Sequence, residues 1–299
     1  MSAAAKAGSG AAQVASAAGS KTPGFLSRAL QHRSFVIGAA LTLALIAAAS
    51  LSLLWTPYSP YEMNLPGKLQ GPNAQHWLGT DPFGRDVASL LLVGARSSIL
   101  VGVIAVSMGL VAGTALGLLA AARRGWTEEL IMRLSDFSFA FPAILSAIML
   151  TAVFGAGIVN AIIAIGIYNI PTFARITRAS ANAIWAREFV LAARACGFGA
   201  WRITVEHVLP NILSVLIVQA TIRFAIAILA EAARSYLGLG AQPPQPSWGR
   251  MLSEAQTLMF QAPLLAVWPG LAIAFAVLGL NLLGDGLRDL IDPRLARKR

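Results

Sequence analysis

The sequence predicts an all-α membrane protein of six transmembrane helices, with both termini cytoplasmic and a distinctive cytoplasmic loop between helices four and five. Three observations carry that prediction. Charged residues make up 12% of the 299 positions and apolar residues 57%, at a mean hydropathy of +0.68. Soluble domains carry about 25% charged residues, so this chain has too little polar surface to cover a water-soluble globule. Six apolar segments are each long enough for a hydrocarbon core that takes about 20 helical residues. Finally, lysine and arginine are strongly biased to one set of connections.

In chain order, residues 1–34 form an amino-terminal tail. Its first 24 positions are rich in Ala, Gly and Ser, with only Lys6 and Lys21 charged, a composition that predicts disorder. The first span is 35–55, longer than the roughly 7–15 residues of a signal-peptide core and with no clear cleavage site after it. Residues 56–97 form an outer segment. Five further helices make a transmembrane domain over 98–284, with spans at 98–122, 137–154, 158–174, 211–237 and 263–283. Gly155-Ala156-Gly157 is the expected turn between the third and fourth. Residues 285–299 are the carboxyl tail. The second helix carries Gly109, Gly113 and Gly117, with Ala105 and Ala121 extending the same spacing. Small residues at this interval let another backbone approach closely, which drives packing where lipid offers no hydrophobic gain. The partner helix is expected within this chain or in a second subunit.

Seventeen of the 23 lysines and arginines fall in the two tails and in the connections after helices two and four. Lys68, Arg85, Arg96 and Arg250 fall on the other side, and Arg223 and Arg234 lie inside the fifth span. The side rich in Lys and Arg is cytoplasmic. The net charge of +10 is thus a topology signal, and no nucleic-acid partner is needed to explain it. A single cysteine, Cys196, excludes an intrachain disulfide.

The connection at 175–210 should be largely helical. Around Arg187–Cys196, Phe189, Ala192, Ala193 and Cys196 fall on one face and Arg187 and Arg194 on the other. Gly197 and Gly199 break that helix, and a second begins near Trp201 and runs to Val208, before Pro210. The result is a knob that nothing in the chain obviously covers, which suits a partner protein.

Leu191-Ala192-Ala193-Arg194-Ala195-Cys196-Gly197, followed by Leu209-Pro210, resembles the EAA loop of binding-protein-dependent ABC importer permeases. Three further stretches are similar to the dipeptide/oligopeptide/nickel branch of that family: Leu78-Gly79-Thr80-Asp81-Pro82-Phe83-Gly84-Arg85-Asp86, Ser235 through Pro244 continuing to Pro246-Ser247-Trp248-Gly249, and Gly284-Asp285-Gly286-Leu287-Arg288-Asp289. The resemblance covers nearly all of 35–294. It implies that Arg187, Glu188, Ala192, Ala193, Arg194, Gly197, Leu209 and Pro210 form a coupling helix and its surroundings, docking on a separate ATPase. It implies a prokaryotic inner-membrane complex of this chain, a similar second permease, two ATP-binding subunits and an extracytoplasmic binding protein. ATP and magnesium would sit on the ATPases, leaving this chain without a cofactor, metal or catalytic residue of its own. The outer segment around Trp77–Asp86 would contribute to the surface met by the binding protein. The chain departs from the pattern at Leu191, where the loop's glutamate usually stands, with Glu188 one turn earlier. It departs also at Arg234, a position usually apolar. Within the branch the substrate is expected to be a di- or oligopeptide, with glutathione-like molecules, nickel chelates and opines as further possibilities.

The fifth span holds Gln219, Arg223, Glu231 and Arg234, which at about 100° per residue share one face. Charge at mid-membrane costs at least ~2.5–3.5 kcal/mol, so these groups should pair internally or line a pathway. Glu231 and Arg234, three residues apart, can pair. Arg223 has no sequence-near acid and suits a pathway, where it would attract a carboxylate.

The chain has no phosphate-binding Gly-x-x-x-x-Gly-Lys-Ser/Thr run; Gly19-Ser20-Lys21-Thr22 lacks the required step. His32, His76 and His207 are too dispersed to argue a metal site or a catalytic base. His76 is expected in solvent and His207 on the contact surface of the second loop helix. A secondary transporter is the alternative reading, but it often shows paired broken helices in two repeated halves. No such repeat is visible, although Pro171 and Pro269 should interrupt two helices. An intramembrane enzyme would need a convergent set of acid, base or metal ligands, and none is legible.

Overall fold

A computed structural model describes residues 29–291. The expectations for the tails at 1–28 and 292–299 lie outside the described residues. Within them the chain is helical, and no strand is found. Five helices are long and apolar enough to cross a membrane, and the count reaches six if a bent pair is taken as one span.

The first, α1 (Arg33–Leu54), leads into an irregular outer segment with one short turn at Leu65–Gly67. Next comes α2 (Val87–Arg123), which begins about three turns before the expected residue 98. Asp86 sets that start, because its carboxylate accepts the Ser89 N–H and satisfies a free donor of the first turn. The expected single span at 137–154 is instead two helices, α3 (Trp126–Ala140) and α4 (Ala143–Phe154), bent by 84°. Pro142 causes the elbow. It has no N–H to continue the ladder, and it forces Phe141 to an extended ψ of 125°.

The connection Gly155-Ala156-Gly157 reverses the chain into α5 (Ile158–Trp185), which runs well past the expected end at residue 174. Arg175 and Arg178 sit on this extension and pair with Asp136 and Glu128 of α3, the second pair at 3.0 Å. The helix therefore outlasts its apolar stretch. After α6 (Glu188–Ala195), α7 (Ala200–Tyr236) contains a π-turn at Thr204–Val208. The expected stop before Pro210 does not occur. The wider turn sits where Pro210 cannot donate, and the Asn211 side chain bonds the His207 carbonyl at 2.6 Å. A short outer helix, α8 (Trp248–Gln256), precedes α9 (Leu264–Ile291). Pro171 and Pro269 interrupt neither α5 nor α9; packed neighbours hold helices together across such gaps.

The most extensive contact is α2 against α5, followed by α9 against α1. Gly109, Gly113 and Gly117 all face α5: a Cβ on Gly113 would lie 2.5 Å from the Ile170 carbonyl oxygen, and one on Gly117 as close to that of Ala174. Two core clusters result. Val101, Phe173, Trp185, Val190, Ile212 and Leu216 anchor one toward the arginine-rich end. Leu45, Leu90, Ile228, Trp248 and Leu280 anchor the other. Leu43, Val111, Val153 and Phe154 are exposed around the outside, a surface suited to lipid.

Candidate functional site

Three places carry the residues singled out above. The first is the knob. Its helix α6 buries Val190 and Ala193 among Trp185, Ile203 and Val208, while Phe189, Leu191 (54% exposed), Ala192 and Cys196 point outward. Of the face expected from Phe189, Ala192, Ala193 and Cys196, only Ala193 is covered, and the other three are exposed. The Arg194 guanidinium lies 4.8 Å over the Trp185 ring and pins α6 to the end of α5, which fixes its rotation. Its carboxyl end closes with Gly197 N–H on the Arg194 carbonyl at 2.9 Å and Phe198 N–H on the Ala193 carbonyl at 3.1 Å. Gly197 takes a φ of +84° with open space around it, so glycine is there for backbone conformation alone.

Beyond it, Phe198 stacks on His207 and carries the Arg202 guanidinium at 4.1 Å. Trp201 is 80% exposed. Leu209 packs on the core and Pro210 is exposed, as are Arg187 and Glu188. The knob is thus a rigid, mostly apolar projection flanked by arginines.

The second place is an outer cap built from the 78–86 motif. Thr80 Oγ1 donates to the Gly67 carbonyl at 2.6 Å and accepts the Gln70 N–H at 2.8 Å. Asp81 accepts the N–H groups of Phe83 and Arg85. Asp86 accepts from Ser89 and lies 3.0 Å from His76 Nδ1, with Tyr58 against the His76 ring. His76 is therefore half-buried in a network rather than in solvent. Arg85 joins Asp81 at 2.6 Å to Glu254 of α8 at 3.1 Å, and Arg250 reaches the same Glu254 at 2.8 Å. Trp248 Nε1 donates to the Leu91 carbonyl at 3.0 Å. The motif ties the outer segment to α2 and α8, and it leaves Tyr61, Met63, Phe83 and Trp77 exposed. Arg85→Ala is expected to cost about 1.5–3 kcal/mol, because it removes charge-assisted hydrogen bonds to two carboxylates, Asp81 and Glu254, that keep their other partners. Limited proteolysis of 56–86 should accelerate; an unchanged cleavage rate would mean the network does not hold the cap.

The third place is the charged face of α7. Glu231 and Arg234 do not pair: among the described residues no ion pair joins them. Glu231, 1% exposed, accepts from Ser235 at 2.7 Å and from Ser98 of α2 at 3.4 Å, with Ser247 alongside. Arg234 donates instead to the Ala161 carbonyl of α5 at 3.1 Å. Three residues leave about 60° between side chains, and here that angle sends them to different neighbouring helices. Arg223 is half-buried beside Tyr168, and its Nε has no hydrogen-bond partner among the described residues. Gln219 is half-buried on the same helix.

Sequence reasoning missed the serines around Glu231 and the elbow beside Arg234. Pro142 was the available signal for the elbow, and the four-residue spacing of Glu231 and Ser235 was one for that hydrogen bond, whereas Ser98 lies 133 positions from Glu231, too far to be read with it. Among the described residues no group of His, Cys, Asp or Glu could hold a metal ion.

Comparison with known proteins follows the same geometry. Residues 113–297 match a family described as binding-protein-dependent transport system inner membrane component. The dipeptide transport system permease protein DppC of Alkalihalophilus pseudofirmus is 45% identical over 265 residues, covering 89% of this chain and 87% of the relative. The glutathione transport system permease protein GsiD of Pectobacterium atrosepticum is 42% identical over 272 residues, covering 91% and 90%. In inward-facing structures of the MetNI methionine ABC transporter, a chain 19% identical superposes with a TM-score of 0.57, covering 68% of this chain and 97% of that one. At that identity the likeness concerns the fold.

Proposed function

The chain belongs to the family of binding-protein-dependent transport system inner membrane components, and from that premise we propose that it forms half of the translocation pathway of a peptide importer. It is an ABC importer permease of the inner membrane, and ATP hydrolysis belongs to separate subunits. The finer reading is that di- or oligopeptides, or glutathione, are the cargo. Relatives named for dipeptide and glutathione transport, at 45% and 42% identity, support it. A similar second permease, two ATP-binding subunits and an extracytoplasmic binding protein would complete the complex, with ATP and magnesium on the ATPases.

The observation that carries the proposal is the knob. It is held rigidly by Val190, Ala193 and the Arg194–Trp185 contact, yet it offers Phe189, Leu191 and Ala192 to a partner. An ATPase bound there would move α5 and α7 together, since α6 joins them. The termini and the knob would face the cytoplasm, where the positive-inside bias puts the arginines. The 78–86 cap and α8 would then face the binding protein. ATP can shift the transporter between inward- and outward-open arrangements only through its different affinity for the two. The expected motion is rocking of packed helices.

Uptake into vesicles reconstituted with the whole complex tests the reading, using a labelled dipeptide and labelled glutathione. ATP-dependent accumulation of one of them is expected. Arg223→Gln should reduce it on the order of 10-fold, the loss of one charge-assisted contact. Accumulation of neither would overturn the peptide reading, and unchanged uptake by Arg223→Gln would remove Arg223 from the pathway.

A further inference from the structure

We propose that the cavity beneath the α3–α4 elbow receives the carboxylate end of the substrate in transit, with Arg234 as its anchoring cation. The proposal rests on the peptide-importer reading above. The cavity measures about 200 Å³, and Phe137, Phe141, Leu150, Ile167, Tyr168 and Arg234 are among its walls. It is a tertiary feature: α3, α4, α5 and α7 each contribute.

Arg234 is 7% exposed, and the one hydrogen bond its side chain makes among the described residues goes to a neutral carbonyl, that of Ala161. No carboxylate of the described residues lies within ion-pairing distance, because Glu231 is taken up by serines. A buried guanidinium in a membrane helix is costly and marks an ion or substrate path. Its remaining donors, arranged as a planar fork, match a carboxylate. Aromatic and aliphatic walls lower the local dielectric and so strengthen that contact.

The elbow fits the same assignment. Irregular backbone at membrane depth is tolerated where it is buried in protein or lines a cavity, and here Phe137, Ser138 and Phe141 border one. Carbonyls of the last turn of α3 have no following helical N–H to accept, so they offer acceptors for a peptide's N–H groups. At about 200 Å³ the space falls below the roughly 300–1,000 Å³ of pockets that enclose a drug-sized ligand. It suits a terminal residue rather than a whole peptide.

The experiment compares uptake of a dipeptide or glutathione, whichever the wild-type complex accumulates faster, with uptake of its carboxamide. Affinities of the isolated binding protein for both are measured separately and divided out. Wild type should favour the free acid. Arg234→Gln should lower acid uptake on the order of 10-fold and erase the preference, while Arg234→Lys should retain part of it. Ala164→Phe, which fills the cavity and leaves Arg234 in place, should lower uptake of both with the complex still assembled. Uptake by Arg234→Gln with the preference intact would overturn the assignment while the importer reading stands. Equal loss of acid and amide uptake by Arg234→Gln, with full transport by Ala164→Phe, would make Arg234 structural and overturn it too. Accumulation of neither peptide by the wild type would overturn both readings.

Discussion

Replacing Phe189 and Leu191 together by aspartate is expected to leave this chain inserted and folded yet strip it of its ATPase. Neither side chain belongs to the core cluster that Val190 and Ala193 enter, so the bundle keeps its core and gives up only the edge contact of Phe189 with the His207 ring. A docked partner would bury them, and burying one such side chain contributes about 1.5–3 kcal/mol. Two losses of that size weaken association on the order of 100-fold or more, since each 1.4 kcal/mol is about tenfold. Co-purification of ATPase subunits with the tagged chain reads the result, and ATP-dependent uptake should vanish with it. Full ATPase recovery would place the docking surface elsewhere and make Trp201, also outward-facing, the next residue to change.

Gly113→Leu should have the opposite character, removing the chain itself. The first side-chain carbon would lie 2.5 Å from the Ile170 carbonyl oxygen and 2.6 Å from the Phe173 Cβ. Backbone cannot swing aside as a long side chain can, so α2 and α5 must separate along their length. Overpacking of a core costs typically about 1–3 kcal/mol, and a backbone clash at the most extensive interface of the fold should reach or exceed the top of that range. Thermal unfolding in detergent, followed by size-exclusion of the tagged chain, should give a large drop in folded protein. Gly270→Ala is the matched control. Gly270 sits in α9 with nothing within 4 Å of its missing Cβ, and helix propensity there favours alanine by about 1 kcal/mol. Equal loss in both variants would mean that glycine content, not the α2–α5 approach, limits stability.

The two variants separate two kinds of information. Membrane residence, five of the crossings and the existence of a projecting knob were legible because each is written in local composition. A run of apolar residues crosses lipid whatever its neighbours do, and Gly197 needs its left-handed turn from local chain geometry alone. Helix limits were less legible, because they depend on partners. Asp86 starts α2 early through a cap, and α5 runs on past residue 174 while α3 supplies Asp136 and Glu128 to its arginines. Proline shows the division plainly. Pro142 breaks its helix, whereas Pro171 and Pro269 are carried through intact helices by the packing around them.

The charged face of α7 illustrates the same limit for function. Sequence periodicity put Gln219, Arg223, Glu231 and Arg234 on one side of one helix, and a local rule paired the last two. Only the tertiary structure supplied Ser98 and Ser247 for the carboxylate, Ala161 for the guanidinium and an elbow that opens a cavity beside it. Periodicity fixes the angle at which a side chain leaves its own helix. What it meets at the end of that angle depends on residues as far off in sequence as Ser98 is from Glu231, 133 positions, brought close by helix packing that local composition does not encode.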